Sequence, residues 1–491
     1  MAVVVLIGAF GYFMKERKRH IYWIILTFIF TLLCVVNSAY YTFYTSFSSV
    51  SLLTTTRFIV QVGDAVVENV LQIKDFVYLV IPVILIFLFV KLLRKKKIDK
   101  RKNKNVKKAL KTFAMGGILT LMFAVTLTAT DIGRLTKQWN REYIVMKYGI
   151  YVYHVNDLFK SIEPKLVSLF AYDEAVKNFK DYFKDVSAKK ENEYTGIFEG
   201  KSMLVIHAES IQNFLIGLKI TGKEVTPNLN KLANGGMYFN NYYPQVSVGT
   251  SSDTEFSFNT SLMPSNTGTA FGSYFDRTYI ATPALLKEKG YYNFAMHGNN
   301  ADYWNRRVMH KNLGYDDFYG KSEYNIDETL GLGITDKSFL RQSVDKLEEI
   351  SKNHDKFYGT IITLTNHTPF NENGKGYSDF DVTLKEEVKN PTTGKKEIVT
   401  YPYMDGTKLG YYFQSVHYAD EALGEFLNEI DKRGLLKNTV VVLYGDHDAR
   451  LPKNDYLRFY NYDKENDSTL SEDSSKYKDM DSYQYEINRR V

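Results

Sequence analysis

Three apolar stretches dominate the first 130 residues: 21–44 (IYWIILTFIFTLLCVVNSAYYTFY), 76–93 (FVYLVIPVILIFLFVKLL) and 113–130 (FAMGGILTLMFAVTLTAT). A bilayer crossing takes roughly 20 mostly apolar residues, so each is predicted to span. Residues 2–14 (AVVVLIGAFGYFM) are apolar but short. Across 131–190 the apolar residues recur with helical periodicity, and a hydrophilic linker follows around Lys184 to Glu193. From about 200, strand-like and helix-like segments alternate. Strands are predicted at Ser202–His207, Tyr292–Met296, Phe357–Leu364 and Thr439–Leu443. Helices are predicted over PNLNKLAN, TPALLKEKG, TDKSFLRQSVDKLEEISKN and YFQSVHYADEALGEFLNEIDKRG, with Thr226, Thr282 and Thr335 at or near their caps. Such alternation implies a parallel or mixed sheet with helices on both faces. The expected organisation is membrane helices over 1–130, a helical linker over 131–199 and an α/β domain over 200–491.

Charge orients the membrane part. Lys15, Arg17, Lys18 and Arg19 follow the first apolar piece, and a second basic cluster runs from Lys91 to Lys111. The loop at 45–75 carries only Arg57 and Lys74. Lys and Arg concentrate in cytoplasmic loops, so both basic loops face the cytoplasm and the last span delivers everything after about 131 to the outer face. By this parity Met1 starts outside on a piece too short to span, which leads to the expectation of a missing N-terminal piece. The order of apolar and basic residues in 1–19 is the reverse of a signal peptide's.

Composition narrows the chemistry. The single cysteine, Cys34, excludes an intrachain disulfide framework or a Cys-based metal site. The formal charge of +6 arises mainly from the juxtamembrane cluster, so it does not indicate nucleic-acid binding. The 38 tyrosines suit a carbohydrate- or membrane-facing surface.

Ligands in open α/β sheets bind beyond the carboxyl ends of the strands. Glu209 follows the first predicted strand, His297 ends the second, Thr365-Asn366-His367 follow the third and Asp446-His447 the fourth. Parallel strands would bring these groups to one edge. Glu209, Asp446 and His447 form an O/O/N donor set suited to manganese or zinc. Singly, each reads as a solvated turn or a helix-terminal charge.

Residues Gly249 to Phe256 (GTSSDTEF) put hydroxyls at a predicted helix start whose apolar face would be Phe256, Phe258 and Leu262. Ser252 and Glu255 fit a capping box. A second reading makes one hydroxyl a nucleophile beside a metal at the helix N-terminus. Both readings can hold, with different hydroxyls. His310, His354 and His417 have no such support, and the last two read as structural.

Five stretches in order, HAESIQNFLIGLKITGKEVTPNLNKLA, GTSSDTEFSFNTSLMP, MHGNNADYWNRRVMHKNLGYDDFY, LTNHTPF and YGDHD, resemble the lipoteichoic acid synthase family of the alkaline phosphatase/sulfatase superfamily. The resemblance covers roughly 200–450. It implies five spans and an extracellular sulfatase-like domain with a mostly parallel central sheet flanked by helices. It also implies Glu209, Asp446 and His447 as ligands of manganese, with magnesium or zinc as alternatives. His297, Trp304, Arg306 and His367 match substrate-contacting positions. The family nucleophile is a Thr directly before Ser-Asp. Here a gapless match puts Ser251 in that slot and Thr250 one residue early; Ser251 is favoured, and either oxygen could attack and touch the metal.

The resemblance implies a transferase moving glycerophosphate from the membrane lipid phosphatidylglycerol to a polyglycerolphosphate acceptor, through a covalent Ser/Thr ester, on the outer face of a Gram-positive-type cell membrane. The alternatives are a phosphoethanolamine transferase, a sulfatase, or a silent binding protein on the same fold. A sulfatase would need x-Pro-x-Arg after its nucleophile, and Ser251 is followed by Ser252, Asp253, Thr254 and Glu255. The polar tail after His447 is expected to be truncated or divergent.

Overall fold

The structure, a computed structural model, describes residues 1–44, 46–51, 72–94, 105–137, 141–184, 190–265, 268–371 and 379–491. The basic residues Lys95 to Lys104, the outer-loop residue Arg57 and part of the predicted linker lie outside these. The described residues divide into two compact units, one running to Lys184 and one from Lys190 to the end.

The first unit is helical: α1 (Ala2–Ala9), α2 (Glu16–Tyr44), a 3-10 segment Ile73–Leu79 running into α3 (Val80–Arg94), then α4 (Val106–Ala124), α5 (Ala129–Lys137), α6 (Arg141–Tyr148), α7 (Ile150–Phe170) and α8 (Tyr172–Phe183). Among the described residues, two helices, Glu16–Thr42 and Ile73–Leu92, are each long and apolar enough to cross a membrane. The third predicted span counts as one only if the bent pair α4 and α5 is taken together. It is not one helix over 113–130: α4 ends at Ala124, and α5 leaves at 109°. The break has a local cause. Thr128 and Asp131 form a reciprocal capping pair: Thr128 N donates to Asp131 Oδ2 (2.8 Å) and Asp131 N donates to Thr128 Oγ1 (3.1 Å). That pair starts a new helix at the position where the apolar pattern alone would continue the old one.

The second unit is built on a five-stranded sheet of β1 (Ser202–Ala208), β2 (Tyr292–His297), β3 (Asp317–Tyr319), β4 (Phe357–Ile362) and β5 (Thr439–Gly445). Its order is β5-β1-β4-β2-β3, with every pairing parallel. The four predicted strands are all present, and β3 is an addition. Around the sheet lie α9 (Pro227–Gly235), α10 (Ser251–Thr260), α11 (Thr282–Lys287), α12 (Arg306–Leu313), α13 (Asp336–Asn353), α14 (Lys408–Lys432), α15 (Lys453–Tyr460) and α16 (Ser482–Asn488).

Strand alternation sends side chains to two cores. Leu204, Ile206, Phe294, Met296 and Ile361 pack with Phe339, Val344, Phe413 and Phe426 of α13 and α14. Val205, Ala295, Tyr358 and Ile362 pack on the other face with Phe256, Met309 and Leu313. Burial on both faces explains why these strands read as continuous apolar runs. The register then fixes the functional edge: His207 pairs with both Ile362 and Tyr444, and His297 with Ile362. Glu209, Gly298, Thr363 and Asp446 therefore leave the sheet at one level.

Candidate active site

The loops after β1, β4 and β5 are stitched together at that edge. Asp446 N donates to Ala208 O (3.1 Å), Glu209 N to Thr363 Oγ1 (2.9 Å) and Asn366 Nδ2 to Glu209 O (2.9 Å). Ser210 joins the carboxylates: its Oγ donates to Glu209 Oε1 and its N to Asp446 Oδ1, both at 2.8 Å. Glu209, Asp446 and His447 are all buried and offer ligand atoms within 4.8 Å of one another. His447 Nε2 lies 3.5 Å from Glu209 Oε1 and 3.5 Å from Asp446 Oδ2.

The fit to a cation rests on an unsatisfied atom. Asp446 Oδ2 is fully buried and makes no hydrogen bond of good geometry, although His207 Nε2 stands 3.3 Å away. A buried carboxylate oxygen without a donor is costly, and a divalent ion among two carboxylates and an imidazole removes that cost. Without an ion the carboxylates compete. Burial and the neighbouring Asp446 push the Glu209 carboxyl up. Asp446 is held low because His447 and His207 outweigh the effect of its own burial. His447 is oriented from behind: its Nδ1 sits 3.0 Å from Asp448 O, leaving Nε2 toward the carboxylates.

The hydroxyl segment reaches the same place. Ser251 opens α10, with its Oγ 3.3 Å from His447 Nε2 and 3.5 Å from Glu209 Oε2. Thr250 takes the N-cap position at φ +44° without capping by its side chain. Gly249 is required before it, since an added Cβ would lie 2.3 Å from Asp253 Oδ1. Asp253 Oδ2 accepts from Ser247 N (2.8 Å) and Gly249 N (3.0 Å), which fixes the turn. Ser210, Thr250, Trp304, Asn305 and Arg450, in the turns and helix starts that follow the strands, share positive φ. Strained backbone of this kind gathers at functional sites.

The predicted Ser252–Glu255 capping box is corrected. Ser252 Oγ donates to Gly249 O (2.8 Å), and the helix tucks Glu255 inward. There Glu255 Oε1 accepts from Arg306 Nε (2.9 Å) and lies 2.8 Å from Arg306 Nη2, while its Oε2 lies 3.2 Å from His310 Nε2. Burial alone would raise the Glu255 carboxyl, but Arg306 and His310 bring it below its ordinary value. Leu262 falls beyond the end of α10 and is exposed, so it is not part of the helix's apolar face.

Arg306 is thus held on one side, and its Nη1 reaches His297 Nε2 at 3.1 Å. His297 Nδ1 faces Ile362 O (3.0 Å), so Nδ1 carries the ring proton and Nε2 accepts from the guanidinium. Burial and Arg306 hold His297 neutral. His367 is half-buried, its Nδ1 is bound to Thr368 O (2.6 Å), and burial lowers its pKa. It feels the charges of both Asp446 and Arg306. Trp304 packs half-buried against the second core face.

Three contributors escaped the sequence reading: His207 behind Asp446, His310 behind Glu255, and Arg489. The last donates from Nε and Nη2 to the two Asp448 oxygens, both at 3.0 Å. His354 stacks on Tyr292 with ring centres 4.0 Å apart, and His417 Nδ1 binds Val225 O (2.8 Å), as structural residues would.

Comparison with known proteins agrees with both units. Residues 201–487 match the sulfatase family model, and residues 1–168 match the model of the lipoteichoic acid synthase N-terminal domain. A lipoteichoic acid synthase of Staphylococcus saprophyticus is 32% identical over 490 residues, covering 98% of this chain and 70% of that protein. Lipoteichoic acid synthase 1 of Bacillus subtilis is 32% identical over 444 residues, covering 89% of this chain and 65% of that protein. The chain thus spans about two thirds of these relatives' length. The crystal structure of a lipoteichoic acid synthase from Listeria monocytogenes shares 33% identity, covers 57% of this chain and 64% of that one, and gives a TM-score of 0.49.

Proposed function

The chain belongs to the lipoteichoic acid synthase family, and from that premise we propose that it is a membrane-anchored phosphotransferase that moves glycerophosphate from phosphatidylglycerol to a growing polyglycerolphosphate chain on the outer face of the membrane. The observation that carries this reading is the position of Ser251 Oγ, within 3.5 Å of both His447 Nε2 and Glu209 Oε2 at the start of a helix.

Glu209, Asp446, His447 and Ser251 would hold the divalent ion, with manganese the first choice for this donor set. When bound, the ion supplies positive charge that favours the alkoxide form of the hydroxyl and draws electron density from the phosphoryl group.

Ser251, rather than Thr250, carries the attacking oxygen. Its Oγ forms a bond to phosphorus as the bond to the diacylglycerol oxygen breaks, and diacylglycerol leaves with a proton. In the second step the terminal hydroxyl of the acceptor attacks the phosphorus and gives up its proton, and Ser251 Oγ leaves and is reprotonated. Splitting one displacement into two is the usual gain of covalent catalysis. Arg306 presents its guanidinium to the phosphate oxygens in an orientation set by Glu255 and His297. Neutral His367 is suited to take the acceptor's proton. Trp304 gives an apolar wall for the glycerol. The anchor keeps the site at the surface where its lipid donor resides.

The test uses the full chain in vesicles of glycerol-labelled phosphatidylglycerol with manganese. Ser251→Ala is expected to abolish both the protein-bound glycerophosphate ester and diacylglycerol release, while Thr250→Ala keeps both. A labelled ester on Thr250, or turnover by Ser251→Ala, refutes the assignment. No diacylglycerol release by the unaltered chain refutes the activity.

A further inference from the structure

Helix α7 is built inside out. Its buried face is polar: Asp157 is fully buried, and Tyr153 and His154 lie within a turn of it. Asp157 accepts from Ser49 Oγ (2.9 Å to each oxygen), His154 Nε2 meets Asn37 Nδ2 (2.7 Å), and Tyr153 OH donates to Ser48 O (2.9 Å). Its opposite face is apolar and exposed. Val155, Leu158, Phe159 and Ile162 are 47, 44, 68 and 43% exposed. Their spacing of i, i+3, i+4 and i+7 makes one continuous stripe. A helix bordering water has the reverse arrangement. Lipid as the surrounding medium inverts it, because buried polar groups must then pair inside the protein.

Position supports the same occupant. The start of α7 packs on α2 well inside its span-length apolar segment: the Tyr151 ring lies against Phe30, tilted by 34° (centroids 4.4 Å apart), and its OH lies 3.6 Å from Cys34 Sγ. The His154 pairing is with Asn37, toward the end of α2 remote from Lys15 and Arg17–Arg19. On the orientation adopted above, that is the outer end. Helix α8 continues with Phe179 and Phe183 exposed at 59 and 46%, and aromatic side chains concentrate at bilayer interfaces.

We propose that α7 lies in the outer leaflet, with the Val155–Leu158–Phe159–Ile162 stripe among phospholipid acyl chains. The segment between the spans and the catalytic unit is then a lipid-contacting element, not an aqueous linker. A stripe of this area exposed to water on a chain already anchored in a bilayer would be an unmet apolar patch.

The proposal rests on the membrane orientation read above but not on the transferase chemistry, so its test does not measure turnover. Phe159→Cys is made in a Cys34→Ser background, labelled with an environment-sensitive fluorophore, and the full chain is placed in bilayers with or without lipids brominated along the acyl chain. Ile398→Cys, exposed on a hairpin of the second unit, is the aqueous reference. The Phe159 probe is expected to lose at least half its fluorescence to brominated lipid and to resist aqueous iodide, and the Ile398 probe to do the opposite. Quenching by iodide and not by lipid overturns the proposal. Quenching by neither also overturns it, since the stripe is then covered by the catalytic unit or a second copy. Val155→Cys repeats the measurement if Phe159→Cys does not fold.

Discussion

Arg489 grips Asp448 with a fork of two hydrogen bonds, both 3.0 Å, and Asp448 in turn fixes the imidazole of His447 through its backbone oxygen. A residue 41 positions downstream therefore helps aim a candidate metal ligand. Asp448 is buried, and its carboxyl is held below the ordinary range because Arg489 and Arg450 outweigh its desolvation. Arg489→Ala strands that charge. Breaking a fully buried pair costs about 3–5 kcal/mol. The guanidinium is about a third exposed, which allows water to replace it in part, so a loss of about 2 kcal/mol is expected. Denaturant unfolding in micelles measures it, and calorimetric titration with manganese is expected to show weaker binding. Unchanged stability and affinity would show the fork to be incidental.

The Glu255–Arg306 pair is buried on both sides, with side chains 1 and 4% exposed. Glu255→Ala removes the carboxylate that pairs with that guanidinium, and a loss of about 3–5 kcal/mol is expected. Trp304→Ala, at a half-buried position, should lower stability far less and transferase activity more clearly. Thermal unfolding and turnover of the two variants side by side check this; equal stabilities would contradict the burial argument.

These two relationships also mark where the sequence was legible. The four longer strands and the gathering of Glu209 with Asp446-His447 follow from local pattern plus one rule about parallel sheets. Strand β3 did not stand out, because three residues, Asp317–Tyr319, are too short to show a period. Glu255 was misassigned because Ser-x-x-Glu satisfies a capping box equally well; only its three-dimensional partners, Arg306 and His310, distinguish the two roles. His207 hides inside an apolar strand, and its pairing with Asp446 spans most of the domain. Arg489 sits in a polar tail with no periodicity at all. The break between α4 and α5 was likewise overlooked: hydropathy passes smoothly through Thr128 and Asp131, while hydrogen bonding does not.

Manganese should act as a folding ligand. An ion that binds the folded state alone stabilises it by about 2.7 kcal/mol at a hundredfold excess over its dissociation constant. Thermal unfolding of the unaltered chain is expected to shift upward with manganese and to return with a chelator. Glu209→Gln removes a carboxylate charge from the site and should largely abolish the shift. Because burial and then the neighbouring Asp446 disfavour the Glu209 carboxylate in the absence of an ion, the same substitution should leave the ion-free protein no less stable. A full manganese shift in Glu209→Gln would place the ion elsewhere.

Asp336 links acidity to the loop that presents His367. At the start of α13 its two oxygens accept from Leu364 N (2.9 Å) and Thr365 N (3.1 Å), just before Asn366 and His367. Burial pushes its carboxyl up to about 6, against the pull of those donors. A raised carboxyl means that the folded state binds the proton more tightly than the unfolded chain, whose value is about 3.9. The penalty for ionising it is therefore complete above about pH 6 and is relieved as pH falls from about 6 toward 4. A shift of about two units corresponds to about 3 kcal/mol. Asp336→Asn cannot ionise. Unfolding free energies of the unaltered chain relative to Asp336→Asn should rise by about that amount on acidification through this window and stay level between pH 7 and 8. A difference independent of pH would mean that the two backbone donors, rather than burial, govern the Asp336 carboxyl.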